Sequence, residues 1–178
     1  MELKNEGKLR DKSKALFLDR DGVINVDYID VSKKENFEFI NGIFEVCIAA
    51  QKLGYKLIVI TNQSGVSRGV YTEEDVVNLH CYMKEEFLKH GIIITDIYVC
   101  TSWDDSHEDR KPNPGMLLKA REKYSIDMKS SIMLGDKERD VLAGINAGCG
   151  KTILFSSDIA ETKADIIVNN LSDVIRYL

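Results

Sequence analysis

The sequence predicts a three-layer, Rossmann-like α/β fold in which helices cover both faces of one parallel sheet. Six short apolar runs, each of strand length, alternate with longer amphipathic stretches along the 178 residues. Continuous apolar runs are typical of strands that are buried on both faces, as in parallel sheets. An ordinary domain has about 150 residues, so the chain has room for one.

The predicted strands lie at residues 15–18, 56–61, 96–100, 131–135, 152–155 and 165–168. Apolar residues spaced three and four apart from Ile43 to Leu53 predict the first helix, which Gly54 stops. Thr72 precedes three acidic residues that favour the first turn of a second helix, and Gly91 ends that helix.

Pro114 suits the first turn of a third helix, because that turn needs no backbone N–H donor. A fourth helix is expected from about Arg139 to Ala147, and a last one over residues 171–178. A further helix over NFEFINGI, residues 36–43, is expected to fill most of the chain between the first two strands. Residues 1–13 are predicted to form a flexible tail before a domain of residues 14–178.

The composition of the chain indicates which binding partners and which cell compartment to expect. Twenty-nine acidic residues against 24 basic ones give a net charge of −5, so nucleic acid is not an expected partner. No window of 18 apolar residues predicts a membrane span, and the polar N-terminus lacks a secretory signal. The four cysteines form no C-x-x-C pair, which favours reduced thiols and a cytoplasmic location. We expect a monomer.

Polar and charged side chains follow four of the predicted strands, at the edge where ligands of open α/β sheets bind. They are Asp19 and Asp21, then Thr61 to Ser64, then Arg110 and Lys111, and finally Asp136 and Lys137. Carboxylates packed together repel one another, and oxygen ligands without a His or Cys cluster suit Mg²⁺. The predicted Mg²⁺ ligands are Asp19, the backbone carbonyl of Asp21, and Asp136.

This set of side chains predicts phosphoryl transfer. Asp19 would attack phosphorus and form an aspartyl-phosphate, and Asp21 would protonate the leaving oxygen and then activate water. Thr61 and Lys111 would hold the phosphoryl oxygens, while Asp140 would orient Lys111 or the metal shell. Each motif alone also fits a solvated turn or a helix cap, and the order of the four favours an active site.

A reading from another class is a phospho-acceptor signalling domain of the bacterial receiver type. Such domains also place an aspartate at a strand end beside Mg²⁺ and a lysine. Asp21 favours a hydrolase, because a receiver needs no acid–base group two residues after the acceptor.

The segments FLDRDGVIN, TNQSGVSRG, RKPNPGML and LGDKERDVLAGINAG resemble the haloacid dehalogenase superfamily of phosphotransferases, from about Lys14 to Leu178. Together with NFEFINGI they are similar to the D-glycero-D-manno-heptose 1,7-bisphosphate 7-phosphatases. Those enzymes remove the C7 phosphate in bacterial heptose-nucleotide synthesis, which supplies lipopolysaccharide or capsule precursors. The resemblance implies a phosphorylated sugar as substrate, with contacts from Asn62, Gln63, Ser64, Arg110 and Lys137.

Two related activities stay open at this point. Histidinol-phosphate phosphatases share DRDG, TNQ and RKP, although P-G-M after the lysine and the NFEF segment favour the heptose branch. Polynucleotide 3′-phosphatases carry similar motifs without a cap domain, but the acidic balance of this chain counts against them. The gaps between the motifs leave no room for a cap domain here either.

The zinc loop of the resembling family is degenerate in this chain. The family pattern is C-x-H followed by C-x-C just before R-K. Cys100 keeps the first position, Ser102 replaces the histidine, and His107 and Asp109 stand for the paired cysteines. A structural zinc ion is bound by four Cys or His ligands, so we expect no zinc in this loop. A makeshift site of Cys100, His107 and Asp109 is the disfavoured alternative.

Overall fold

The computed structural model describes residues 12–158 and 161–178. Six parallel strands form one sheet in the order β3-β2-β1-β4-β5-β6, which confirms the predicted fold class. The strands are β1 (Lys14–Leu18), β2 (Tyr55–Asn62), β3 (Ile94–Cys100), β4 (Ile132–Gly135), β5 (Lys151–Phe155) and β6 (Ile166–Val168). Most of the predicted tail, residues 1–11, lies outside the described residues.

Four α-helices connect the strands: α1 (Ile43–Lys52), α2 (Glu73–Lys89), α3 (Gly115–Tyr124) and α4 (Glu138–Ala147). Short 3-10 helices lie at Lys34–Asn36, Met128–Ser130 and Leu171–Tyr177. The start of α2 is as predicted: Thr72 Oγ1 accepts the Asp75 N–H, and the Asp75 carboxylate accepts the Thr72 N–H. This reciprocal capping satisfies two of the amides that a helix start leaves free.

One predicted helix was wrong, and the last one is present as a 3-10 helix. Residues 37–42 are not helical, because Phe37 is buried and Phe39 pairs with Asn25 in an isolated bridge. Gly42, at a φ of 93°, then turns the chain into α1. The last helix is a 3-10 helix, in which buried Leu171 and Val174 match the three-residue repeat.

The sheet separates two apolar clusters. Successive side chains of a strand point to opposite faces, so Leu16 and Leu18 of β1 join one cluster while Ala15 and Phe17 join the other. The first cluster includes α1, α2 and the C-terminal 3-10 helix, and the second includes α3 and α4. The three predicted layers follow from this alternation.

The carboxyl ends of the strands meet at one open edge of the sheet. Between β1 and β2 the chain forms only a loop, a 3-10 turn and α1, and between β2 and β3 it forms α2. Across residues 12–158 no inserted domain covers this edge, as predicted. Among the helices of the described residues, none has the length and apolar character that crossing a bilayer requires.

Candidate active site

Asp19 and Lys111 form the buried centre of the site. Asp19 follows β1 directly, is 4% exposed, and accepts the backbone N–H of Arg20 at 2.7 Å. Lys111 comes from the loop before α3, and its Nζ lies 2.8 Å from Asp19 Oδ1 and 2.7 Å from Asp140 Oδ1. The ammonium also donates to the Ile60 carbonyl at 2.9 Å. Burial lowers the pKa of Lys111, but the two carboxylates outweigh burial and raise that pKa above its ordinary value.

Asp19, Asp136 and Asp140 place one carboxylate oxygen each within 4.8 Å of one another. Burial and the neighbouring charge of Asp140 raise the pKa of Asp19 to about 7 and the pKa of Asp136 to about 6. Asp136 Oδ1 is buried and has no hydrogen-bond partner within the described residues. Clustered oxygen ligands, mutual repulsion and an unpartnered carboxylate oxygen together fit a divalent cation such as Mg²⁺.

The loops that follow β1 and β4 approach each other closely at Gly22. Gly22 has a φ of 89°, and a Cβ at this position would overlap Oδ2 of Asp136. Glycine therefore serves both the left-handed backbone and the close approach that brings Asp136 beside the end of β1.

Asp21 lies outside the carboxylate cluster and is held by its own hydrogen bonds. Its Oδ1 accepts from Arg20 Nη2 at 2.9 Å and from Asn25 Nδ2 at 3.0 Å, and its Oδ2 accepts from Gln63 Nε2 at 2.8 Å. Arg20 is fully buried and also donates to the Val31 carbonyl at 2.7 Å. Sequence reasoning missed Arg20 and Asn25, although both stand in the DRDGVIN segment, because that segment does not reveal which side chains pair.

Residues at the end of β2 and directly after it form hydrogen bonds with both Asp21 and Lys111. Thr61 is 1% exposed, and its Oγ1 accepts from Gln63 Nε2 at 2.8 Å, while Gln63 Oε1 accepts from Tyr71 Oη at 2.8 Å. The Asn62 side chain donates to the Lys111 carbonyl and accepts the Lys111 N–H. Asn62 and Gln63, predicted as substrate contacts, thus also fix the positions of Lys111 and Asp21.

A cavity of about 150 Å³ opens beside Asp19 and Asp21. Its other walls come from the loops after β1, β2 and β4, with Asp27, Ile29, Asp30, Asn62, Gln63, Ser64, Tyr71, Lys137 and Arg139. The predicted substrate residues Ser64 and Lys137 therefore lie on the same cavity as the predicted nucleophile. Arg139 is a cavity residue that sequence reasoning did not single out.

Three cations at this edge of the sheet are each paired with an acidic side chain from a loop, and only Lys137 of the three lines the cavity. The pairs are Lys137 with Asp27, Arg68 with Asp30, and Arg110 with Asp105. The Trp103 ring lies between two of these cations, with its centroid 5.1 Å from Arg68 Cζ and 5.2 Å from Arg110 Cζ. Arg110 is 8% exposed and does not line the cavity.

The degenerate zinc loop does not bring three ligand atoms together. Cys100 Sγ lies 3.9 Å from His107 Nδ1, while the Asp109 carboxylate pairs with Lys119 of α3. In residues 12–158 and 161–178 the one group of three acidic, His or Cys ligands within 4.8 Å is Asp19, Asp136 and Asp140.

Comparisons with known proteins agree with this geometry. The family model of the haloacid dehalogenase-like hydrolases matches residues 22–154. The D-glycero-α-D-manno-heptose-1,7-bisphosphate 7-phosphatase of Campylobacter jejuni is 46% identical and aligns with 93% of this chain and 96% of its own. The β-heptose enzyme of Vibrio cholerae is 40% identical over 92% and 95% of the two chains.

Among solved structures, the D,D-heptose 1,7-bisphosphate phosphatase of B. bronchiseptica, complexed with magnesium and phosphate, has a TM-score of 0.83 and 25% identity. The alignment covers 92% of this chain and 97% of that one. The family match spans most of the sequence, and relatives above 30% identity align over nearly the whole of it. The chain belongs to the haloacid dehalogenase-like hydrolase family.

Proposed function

We propose that this protein is a Mg²⁺-dependent phosphatase that hydrolyses a phosphorylated sugar through an aspartyl-phosphate on Asp19. The observation that carries the proposal is the buried contact of Lys111 with Asp19, within a cluster of three carboxylates that opens onto a cavity. The proposed nucleophile, the proposed cation for the phosphoryl oxygens and the proposed metal ligands lie close together.

Asp19, Asp136 and the Asp21 carbonyl are the proposed holders of Mg²⁺. When bound, the ion supplies positive charge that reduces the repulsion between an anionic nucleophile and a phosphate. Asp140 belongs to the same carboxylate cluster, but its oxygens contact the Lys111 ammonium and the Lys137 N–H. We assign to Asp140 the role of orienting Lys111.

The reaction follows two steps at one aspartate. A carboxylate oxygen of Asp19 bonds to phosphorus while the ester P–O bond breaks, and Asp21 donates its proton to the leaving sugar oxygen. Water then attacks phosphorus and loses a proton to Asp21, which releases inorganic phosphate and the Asp19 carboxylate. Lys111 and Thr61 bind the phosphoryl oxygens, whose charge needs stabilisation in both transition states.

The proposed substrate is D-glycero-D-manno-heptose 1,7-bisphosphate, hydrolysed at C7. Support comes from the relatives of Campylobacter jejuni and Vibrio cholerae, whose names carry this substrate in its α and β forms respectively. The proposed substrate contacts are Ser64 and Lys137, which line the cavity, and Arg110, which lies outside it beside Trp103. Asn62 and Gln63 hold the site beside them. We further propose a cytoplasmic enzyme, since its four cysteines are free. A monomer remains our prediction, which light scattering in solution tests.

The experiment measures phosphate release from both anomers, with histidinol phosphate and a 3′-phosphorylated oligonucleotide as competing substrates. We expect the highest kcat/KM on a heptose bisphosphate, with loss of activity in EDTA and recovery on adding Mg²⁺. Asp19→Asn should abolish release and keep the fold, while Asp173→Asn, on the C-terminal 3-10 helix, should behave as the wild type. Phosphate release by Asp19→Asn would remove the proposed nucleophile, and a higher kcat/KM on another substrate would replace the proposed one.

A further inference from the structure

Arg139 differs in its surroundings from Lys137, the other cation that lines the cavity. It lies in the first turn of α4 and lines the cavity that also contains Asp19. The Arg139 Nε is buried without a hydrogen-bond partner in the described part of the chain, and no carboxylate there lies within 4.0 Å of its guanidinium. By contrast, Lys137 pairs with Asp27 at 2.7 Å.

Two acids near Arg139, Asp27 and Glu138, have other partners. Asp27 directs its Oδ2 to Lys137, although the charge of Arg139 still helps to stabilise the Asp27 carboxylate. Glu138, the preceding residue, accepts hydrogen bonds from Thr162 Oγ1 and the Lys163 N–H. The guanidinium thus contributes a positive charge to the cavity wall that its neighbours leave without a direct ion pair.

The position of Arg139 in its helix also argues against a merely structural role. A cation in the first turn of a helix opposes the helix dipole, so position 139 favours an acidic or neutral residue. Residues that break such a local rule are expected where function requires them. Arginine is suited to this task because its planar fork binds phosphate through two parallel hydrogen bonds.

We propose that Arg139 binds the phosphate of the substrate that is not transferred, and so selects a bisphosphate over a monophosphate. The inference rests on the proposed function, because a phosphoryl group at Asp19 leaves the rest of the substrate to extend along the cavity toward Arg139. Arg139 is then a specificity residue and takes no part in bond breaking. Its ligand is an oxyanion carried by the sugar.

The test measures binding without turnover. In an Asp19→Asn background with Mg²⁺, calorimetry gives the Kd of heptose 1,7-bisphosphate and of heptose 7-phosphate. Adding Arg139→Gln should raise the Kd of the bisphosphate about tenfold, since one charge-assisted contact is lost. The Kd of the monophosphate should change less than twofold. Arg139→Lys should recover part of the affinity, and Arg121→Gln, an exposed arginine of α3, serves as the matched control.

The outcomes separate this inference from the proposed function. An unchanged bisphosphate Kd, or an equal loss for both ligands, would overturn the role of Arg139 even if the wild type is an active heptose phosphatase. Inactivity of the wild type on heptose bisphosphate would instead remove the proposed function, while the binding comparison still decides on Arg139. Thermal unfolding of Arg139→Gln should not fall below that of the wild type, whereas a structural role would lower it.

Discussion

The Lys111 ammonium lies 2.8 Å from Asp19 Oδ1, and the side chains of both residues are at most 5% exposed. The same ammonium contacts Asp140, and Asp136 completes the group of three carboxylates, with the Lys137 ammonium 3.7 Å from Asp136 Oδ2. Full ionisation would set three clustered negative charges against one buried ammonium and one partly exposed ammonium that also pairs with Asp27. Burial and mutual repulsion therefore raise the pKa values of Asp19 and Asp136, and a divalent cation would restore their charged forms.

Lys111→Met should destabilise the protein most when Mg²⁺ is absent. Removing the ammonium leaves the buried carboxylates without their cation, so we expect the free energy of unfolding to fall by about 3 kcal/mol. Adding Mg²⁺ should recover part of this loss, while kcat should stay at least about 100-fold lower. Urea unfolding with and without Mg²⁺ measures the first effect. Lys123→Met, which removes an exposed ion pair with Asp96, is the control, and equal stability of the two variants would contradict the argument.

Asp136→Asn should uncouple Mg²⁺ from stability. In the wild type, saturating Mg²⁺ should raise the free energy of unfolding, by about 2.7 kcal/mol at 100 times the Kd. Asp136→Asn removes a carboxylate whose Oδ1 has no described partner, so most of this increase should disappear. Without Mg²⁺ the variant should be at least as stable as the wild type, since one like charge is gone. Thermal unfolding over a Mg²⁺ titration, with Asp173→Asn as control, checks both expectations, and an unchanged increase would exclude Asp136 as a ligand.

The sheet could be predicted because its strands carry their own signal. Short apolar runs predicted all six strands, including the edge strands β3 and β6, which are only partly buried. The rule that ligands bind at the carboxyl ends of strands then predicted that four separate loops meet. Residues 37–42 could not be predicted this way. The apolar residues Phe37, Phe39 and Ile40 fit a helical stripe as well as the extended path that the structure takes.

The ion pairs between loops could not be predicted from the sequence for a different reason. Lys137 pairs with Asp27 and Arg68 with Asp30, from loops that lie far apart along the chain. Such pairs depend on the exact path of each loop, which local propensity does not fix. Arg139 was missed for the same reason, since on sequence alone it is one more charged residue at the start of a helix.

Asp21→Asn should lower kcat in a way that depends on the leaving group. The Asp21 carboxylate accepts hydrogen bonds from Arg20, Asn25 and Gln63, and an amide in its place can no longer carry the proton. For a sugar phosphate we expect kcat to fall about 1,000-fold with little change in KM. For p-nitrophenyl phosphate the rate of nitrophenolate release should fall by a smaller factor, because nitrophenolate leaves without a proton. Steady-state and burst kinetics on both esters measure this, and equal losses in the release step would argue against Asp21 as the acid.

The purified enzyme should contain far less than one zinc ion per chain. Asp109 Oδ2 is paired with Lys119. Cys100, His107 and Asp109 do not bring three ligand atoms within 4.8 Å of one another. Elemental analysis of protein prepared without chelator tests the expectation. Cys100→Ser should keep its activity and fold. Stoichiometric zinc that disappears in this variant would establish the site that the degenerate loop disfavours.

His80 should make the protein less stable as the pH falls. His80 Nε2 lies 3.3 Å from Arg20 Nη1, and burial together with the Arg20 charge lowers the pKa of His80 to about 3. An unfolded histidine has a pKa near 6.5, so between these values the unfolded state binds the extra proton. The contribution of neutral His80 to the free energy of unfolding is present above about pH 6.5 and is lost on acidification. The loss is about 1.5 kcal/mol between pH 6.5 and 5.

The measurement is the urea midpoint of the wild type and His80→Gln over this pH range, with Mg²⁺ present. Glutamine keeps an acceptor for Arg20 but does not titrate, so the variant should lose less stability than the wild type as the pH falls. Titration of Asp19 and Asp136 contributes equally to both proteins and leaves the difference between them to His80. His107→Gln, on an exposed loop, is the control. Parallel curves for wild type and His80→Gln would show that His80 does not contribute to the acid sensitivity.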